Sequence, residues 1–335
     1  MFRRLLSPGV LVLTGLALVV ITFLVMWLAP SGNYVFLPDR AYPVAPLVSV
    51  RGGHEPKGPG GIYFVDIIVR KASLLEDLFP SIRDGSTLVP GSAVNGGLSD
   101  EARRKQDARD MTLSQQFAAA VALRALGYKV KLEAHGVRVA EVLKTAPAAR
   151  RLKPGDLIVG LNGRRTGSLC TLRRILADEN VGAVVRVAVR RGGLLRSFAI
   201  KTIEGSDHPL LGIGAADSYT IGRLPFPVRI DTHGIGGPSA GLAFTLDLME
   251  QFGRNVDRGL RVAVTGTIEP DGCVDQVGGV KQKVIGAHKT KVDVFLVPAG
   301  DNAREARRYA EGLRVVPVQS FRQALHALAT LSPKT

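Results

Sequence analysis

At 335 residues the chain has room for two or three modest domains rather than one large core, and its 46% hydrophobic content suits a globular protein with one membrane segment. The formal charge of +15 is concentrated: residues 128–203 hold 16 Lys and Arg against 5 Asp and Glu, a surplus of 11. Such a surface suits anionic lipid, an acidic polypeptide or plain solvation, and without a nucleic-acid motif nucleic acid is not an expected partner. The two cysteines, Cys170 and Cys273, form neither a C-x-x-C motif nor a metal-ligand spacing, which excludes a cysteine-built metal site; sequence does not say whether they pair.

From Val10 to Ala29 there is no charge. A helix needs about 20 residues to cross about 30 Å of hydrocarbon, so this run reads as a transmembrane anchor. Arg3 and Arg4 precede it, which puts the N-terminus in the cytoplasm and everything after Pro30 outside. Trp27 and Tyr34 suit the outer interface. A cleaved signal peptide is the alternative, but its apolar region usually spans only about 7–15 residues, and Pro30 follows Ala29 at the place of cleavage.

Residues 30–61, rich in Pro and Gly, read as a linker. Ile62–Val69 reads as a strand, Leu74–Phe79 as a short helix stopped by Pro80, and 85–97 as turns. A helix is expected from Ser99 to Leu126, ended by Gly127 and interrupted near Thr112, where Thr112-x-x-Gln115 has the form of a capping box. The region 62–127 is either a separate unit or part of the last domain. From Tyr128 to Ile203 short strands dominate, with one helical segment at Thr171–Ala177. Residues 205–331 alternate strands and helices as an α/β domain.

The segment Ala146-Pro147-Ala148-Ala149, then Leu152-Lys153-Pro154-Gly155-Asp156-Leu157-Ile158-Val159-Gly160-Leu161-Asn162-Gly163, resembles a PDZ domain over 128–203. That resemblance implies capture of a peptide or a free C-terminus as an added strand. The carboxylate-binding loop would fall near Ala134–Val137, where no Gly-Leu-Gly-Phe-type loop stands.

The last block holds two glycine-rich sentences, Gly236-Gly237-Pro238-Ser239-Ala240-Gly241 and Gly278-Gly279-Val280-Lys281-Gln282-Lys283. Pro238 suits a first helical turn, and Ser239 then opens a helix running to about Phe252. Backbone N–H groups there, from Gly237, Ser239 and Ala240, could receive a developing oxyanion. A serine needs a base, and a lysine serves only if its surroundings hold it neutral. Lys281 and Lys283 lie about 200° apart on a helix, so at most one faces a given site.

The series G-P-S-A-G, Thr265-Gly266-Thr267-Ile268, then G-G-V-K-Q-K-V-I-G-A-H-K resembles the proteolytic domain of Lon proteases, peptidase family S16, from Val228 through Leu331. With the anchor, the PDZ-like segment and Pro46–His54, the layout resembles membrane-anchored PDZ-Lon proteins of the YlbL type. The resemblance implies Ser239 as nucleophile, Lys283 as general base, Thr265 as the hydroxyl that orients the lysine, polypeptide substrates and a homo-oligomer. Where many Lon enzymes carry an acid three residues before the serine, this chain has Gly236. No G-x-x-x-x-G-K-[ST] loop occurs in the sequence, so no ATP or other cofactor is expected.

The fold expected is therefore an α/β (α+β) Lon-type domain plus a small β-rich PDZ domain, preceded by one transmembrane helix. The expected function is that of an ATP-independent Ser-Lys endopeptidase cleaving extracytoplasmic polypeptides. The alternative is a non-catalytic PDZ scaffold with a degenerate Lon-like domain. Gly237–Gly241 also satisfies G-x-S-x-G, but the α/β-hydrolase elbow needs a strand leading directly into the serine, and neither His288 nor His326 has a fitting context. His233 invites a Ser-His reading and suits a loop or substrate contact better; Asp231 reads as a structural acid.

Overall fold

The computed structural model describes residues 8–54, 58–96, 98–205, 208–232 and 234–332. Arg3, Arg4 and His233 lie outside them. Helix α1 (Pro8–Leu28) is apolar along its length and makes no buried face. Strand β1 (Pro30–Pro43) starts two residues later, followed by β2 (Val48–Val50), β3 (Gly61–Ser73), α2 (Leu74–Leu78), β4 (Thr87–Pro90), α3 (Gly91–Asn95) and α4 (Asp100–Ala125). The expected linker is thus largely strand: β1 pairs antiparallel with β3 from Pro30↔Ser73 to Pro43↔Tyr63. Its prolines fit because the pairing carries register shifts, one of them between Pro38 and Ala41. Tyr34 is not an interface residue; it is buried in β1, with its hydroxyl on Asp100.

Local signals explain the helix starts. At α2, the Ser73 side chain accepts from Glu76 N–H while the Glu76 carboxylate accepts from Ser73 N–H, a reciprocal cap. At α4, Ser99 accepts from Ala102 N–H, and Asp100 and Glu101 sit in the first turn, where the helix dipole favours acids. α4 runs unbroken past Thr112, because that hydroxyl donates back to the Ala108 carbonyl instead of capping a new helix.

The chain next builds β5 (Leu132–Val142), β6 (Leu157–Leu161), β7 (Arg164–Arg165), α5 (Leu169–Ala177), β8 (Val184–Arg191), β9 (Leu194–Lys201) and β10 (Ile213–Ile221). Asn162 and Gly163, both at positive φ (49° and 80°), make the tight turn between β6 and β7. These strands form one sheet in the order β10-β5-β6-β8-β9, with β7 on β6. β10 lies beyond the expected end at 203, yet it pairs with β5 over its whole length. Alternate residues Val185, Val187 and Val189 of β8 face the small core with Ile158, Leu172 and Ile175.

The remainder comprises β11 (Val228–Ile230), α6 (Gly241–Gln251), β12 (Arg261–Val264), β13 (Thr267–Ile268), β14 (Val274–Asp275), α7 (Val280–Lys289), β15 (Val294–Pro298), α8 (Asp301–Arg308), β16 (Arg314–Val318) and α9 (Phe321–Thr330). Among the described residues β16-β15-β12-β3-β1-β4 make one mixed sheet. β12 runs parallel to both β3 and β15, so residues 61–73 share a sheet with the last block. β11 likewise pairs with β2.

One side of this sheet carries α6, whose residues from Gly241 to Met249 are all buried. A helix buried all round belongs at the centre of a core, and Phe244, Leu246 and Leu248 fill it with Phe64, Val262, Val264 and Leu296. The other side carries α7 and α8, packed through Val280, Val284 and Ala287 on Phe295 and Val297. The ends of β12, α6 and α7 therefore meet at one edge.

Candidate active site

After β11 the chain makes a glycine-rich loop. Gly237, at φ +89°, turns it into a single 3-10 turn, Pro238–Ala240, that leads into α6. Three neighbours hold this turn. Gly237 N–H donates to the Asp107 carbonyl of α4 at 3.0 Å, and the Ser114 hydroxyl, also on α4, donates to the Pro238 carbonyl at 3.0 Å. Gly266 N–H donates to the Ser239 carbonyl at 2.9 Å, while Leu242 N–H donates to Gly266 at 3.1 Å. Gly241 has to be glycine, since a Cβ there would stand 2.6 Å from Ser114 Oγ and 3.0 Å from Ile268 N. Without it α4 and β13 could not close on the serine turn.

Ser239 is half-buried at this edge, and Lys283 comes up beneath it from the first turns of α7. Lys283 Nζ donates to Ser239 Oγ at 2.7 Å and to Thr265 Oγ1 at 3.2 Å. Thr265 Oγ1 in turn donates to the Ser239 carbonyl at 3.3 Å. Thr265 is fully buried and Lys283 is 3% exposed, so the lysine tip is fixed on two hydroxyls. Burial disfavours the ammonium and lowers the Lys283 pKa to about 8; the nearby Asp66 carboxylate pulls the other way. Asp66, on β3, is itself pushed up, by burial first.

Lys281 points elsewhere: its Nζ donates to the Ser86 carbonyl at 2.8 Å and lies 5.4 Å over the Tyr309 ring. Of the three N–H groups expected at an oxyanion, Gly237's is engaged by Asp107, because α4 packs closer than the sequence suggests. Ser239 and Ala240 remain in the turn that opens α6. Asp231 N–H donates to Leu47 at the end of β11. His288 lies on the exposed side of α7, 3.8 Å from Glu311, and His326 is exposed on α9. Among the described residues no cluster of three or more His, Cys, Asp or Glu is suited to a metal.

Three contributors carry no motif in the sequence: Asp66, and Asp107 and Ser114 of α4. The one available signal was Asp66, a single acid in the otherwise apolar run Ile62–Val69.

The sheet built from β5 to β10 meets this edge at a seam. Cys170 of α5 is disulfide-bonded to Cys273, in the turn between β13 and β14. Arg173 pairs with Asp275 beside it, and Phe117 of α4 meets Tyr219 of β10 edge-on at 6.2 Å. Asp217 on β10 accepts from Leu169 N–H and lies close to Glu269. Burial, reinforced by the Asp217 charge, pushes Glu269 up. Between α5 and the start of β10 runs a cleft of about 320 Å³, lined by Leu169, Leu172, Leu176, Leu211 and Ile213. The expected carboxylate loop at Ala134–Val137 is instead mid-strand in β5, paired with β10.

Residues 233–330 match the family model of the Lon protease (S16) C-terminal proteolytic domain, and residues 124–202 match that of the PDZ domain. The chain joins a PDZ domain to a Lon-type proteolytic domain. Curated relatives agree over the Lon-type part. The Lon protease of Acinetobacter baumannii is 33% identical over 102 residues, 29% of this chain and 12% of that protein. Lon protease 2 of Bacillus subtilis is 25% identical over 159 residues, 48% of this chain and 27% of that protein. The chain thus spans little more than a quarter of either relative at most. Among solved structures, the PDZ domain of an SdrC-like protein from Listeria monocytogenes is 28% identical over 24% of this chain and 87% of that one, with a TM-score of 0.23. The Lon-type model begins at residue 233, although the sheet that carries Thr265 also contains β3 and β1.

Proposed function

We propose that this chain is a membrane-anchored serine endopeptidase that cleaves extracytoplasmic polypeptides with a Ser239–Lys283 dyad. The observation that carries the reading is the 2.7 Å contact between Lys283 Nζ and Ser239 Oγ, made by a lysine whose burial lowers its pKa to about 8. In the neutral form Nζ accepts the hydroxyl proton as Oγ attacks a peptide carbonyl. The oxyanion forms beside the N–H groups of Ser239 and Ala240, an interaction of about 3–4 kcal/mol in comparable sites. Lys283 then returns the proton to the leaving amine and activates the water that releases the acyl group. Thr265, bonded to both Lys283 and the Ser239 backbone, is a positioning residue.

ATP takes no part in this chemistry: the dyad needs none, and the sequence holds no phosphate-binding loop of the Walker type. α1 supplies the anchor, and the Cys170–Cys273 disulfide favours an oxidising compartment outside the cytoplasm. The PDZ domain receives a peptide in the α5–β10 cleft, and copies of the chain associate as a homo-oligomer.

The test is casein cleavage by the purified full-length protein in detergent without ATP. Cleavage that disappears in Ser239→Ala supports the reading. Cleavage equal in both proteins, or absent from the folded wild type, overturns it and favours a scaffold.

A further inference from the structure

We propose that the face formed by α2 and the 3-10 turn Pro80–Ile82 rests in the outer headgroup layer of the membrane, as a collar around the exit of α1. The proposal depends on the anchoring role given to α1. The span Gly9–Leu28 contains 20 residues, which at about 1.5 Å each matches the hydrocarbon thickness and puts Trp27 and Leu28 at one boundary. No spacer follows, because β1 starts at Pro30.

Two contacts then bind the collar to the helix end. Leu74 N–H, at the start of α2, donates to the Ala29 carbonyl at 3.0 Å. The Arg83 guanidinium lies 5.4 Å from the Trp27 ring centre, so the chain after α2 comes back to the level of the last turn of α1. Everything between these two contacts is held at boundary depth. On that stretch Leu74 (42%), Leu78 (62%), Phe79 (52%) and Ile82 (45%) are exposed. Water would face four large apolar side chains within nine residues, whereas a lipid interface accommodates them.

The charges fit the same partner. Of the two acids of α2, Glu76 is 4% exposed and neutralised by Arg70 at 2.6 Å and Arg83 at 2.5 Å, while the half-buried Asp77 accepts from Asn33 Nδ2 at 2.6 Å. Both guanidinium side chains stay partly exposed (38% and 40%), leaving donors for lipid phosphates. The collar also sets a height for the site. Gly279, which opens α7, is packed against Ile67, and a Cβ on it would come 2.6 Å from Ile67 Cδ1. Ile67 stands six residues up β3 from Ser73, at most about 20 Å from the membrane boundary at 3.3 Å per residue. The collar thereby aims the dyad at membrane-proximal segments of other proteins.

The test uses full-length protein in phosphatidylcholine–phosphatidylglycerol nanodiscs, with acyl chains spin-labelled near the headgroup or near the mid-chain. Trp27 is the chain's single tryptophan and reports α1. The double variant Trp27→Phe/Phe79→Trp reports the collar, with Trp27→Phe/Leu78→Trp as a second reporter should the first fold poorly. Trp27→Phe/Leu195→Trp, on an exposed residue of β9, is the control. We expect the collar reporters to lose at least half their fluorescence to the shallow label, more than to the deep one, and the control to lose almost none. Quenching of Trp27 without quenching of the collar reporters overturns the collar and leaves the anchor standing; such a result, joined to concentration-dependent association, assigns the face to a second copy. Quenching of neither overturns both.

Discussion

Cys170, in the first turn of α5, is covalently tied to Cys273, 103 residues later, in the hairpin whose first strand adjoins the Ser239 turn. A crosslink over a loop of that length removes denatured-state entropy worth about 4–5 kcal/mol in the chain-entropy model. It also holds the helix that walls the PDZ cleft against the Lon-type hairpin. Cys170→Ser is expected to lower unfolding stability by a few kcal/mol in urea titration, and dithiothreitol is expected to bring the wild type down to the same midpoint. Equal midpoints for oxidised wild type and variant would remove the disulfide from the stability of the seam.

Lys283 carries a cost that goes with the role proposed for it. In the unfolded chain its pKa is near 10.5, whereas burial lowers the folded value to about 8. Below pH 8 the ammonium is charged in both states, so the folded state bears the whole burial penalty. Between about 8 and 10.5 the folded protein binds fewer protons than the unfolded one, and stability rises with pH. Lys283→Met is therefore expected to abolish cleavage yet stabilise the protein at pH 7, by up to about 3 kcal/mol for a drop from 10.5 to about 8. The gain should shrink toward pH 10. Thermal unfolding at the two pH values checks this, and a destabilised variant at pH 7 would contradict it.

Asp66 works against burial, since its carboxylate favours the charged lysine. Removing that charge lowers the pKa of Lys283 further. Asp66→Asn is expected to move the acid limb of the kcat/KM profile to lower pH while the variant stays folded. An unmoved limb, or one moved to higher pH, would show that Asp66 does not act on Lys283.

The two segments that meet at the site are legible because each is local: Gly237-Pro238-Ser239 and Gly279-to-Lys283 each announce a turn entering a helix. Helical geometry says only that Lys281 and Lys283 face different ways; the choice of Lys283 comes from the resemblance to Lon proteolytic domains, and in the structure it is Lys283 that reaches Ser239. What escaped depends on partners far away in the chain. β1 contains Pro30, Pro38 and Pro43, which read as linker, and only its pairing with β3 makes it a strand. β10, Ile-Gly-Ala-Ala-Asp-Ser-Tyr-Thr-Ile, has no clear alternation because it is an edge strand serving both a cleft and a seam. Thr112-x-x-Gln115 has the form of a cap, but the Thr112 hydroxyl bonds within the helix. The Gly237 N–H, which the local sequence offers to an oxyanion, is taken by the Asp107 carbonyl because α4 packs on the turn. The pairing of Cys170 with Cys273 likewise follows from how two domains meet.

The most direct measurement is the pH dependence of peptide cleavage, without ATP, by the full-length wild type, Ser239→Ala and Lys283→Ala, with folding of each checked by circular dichroism. A lysine titrating at about 8 predicts wild-type kcat/KM rising with pH through an apparent pKa near that value. Both variants should fall by at least about a thousandfold at every pH. Undiminished cleavage by a folded Lys283→Ala protein would contradict the account.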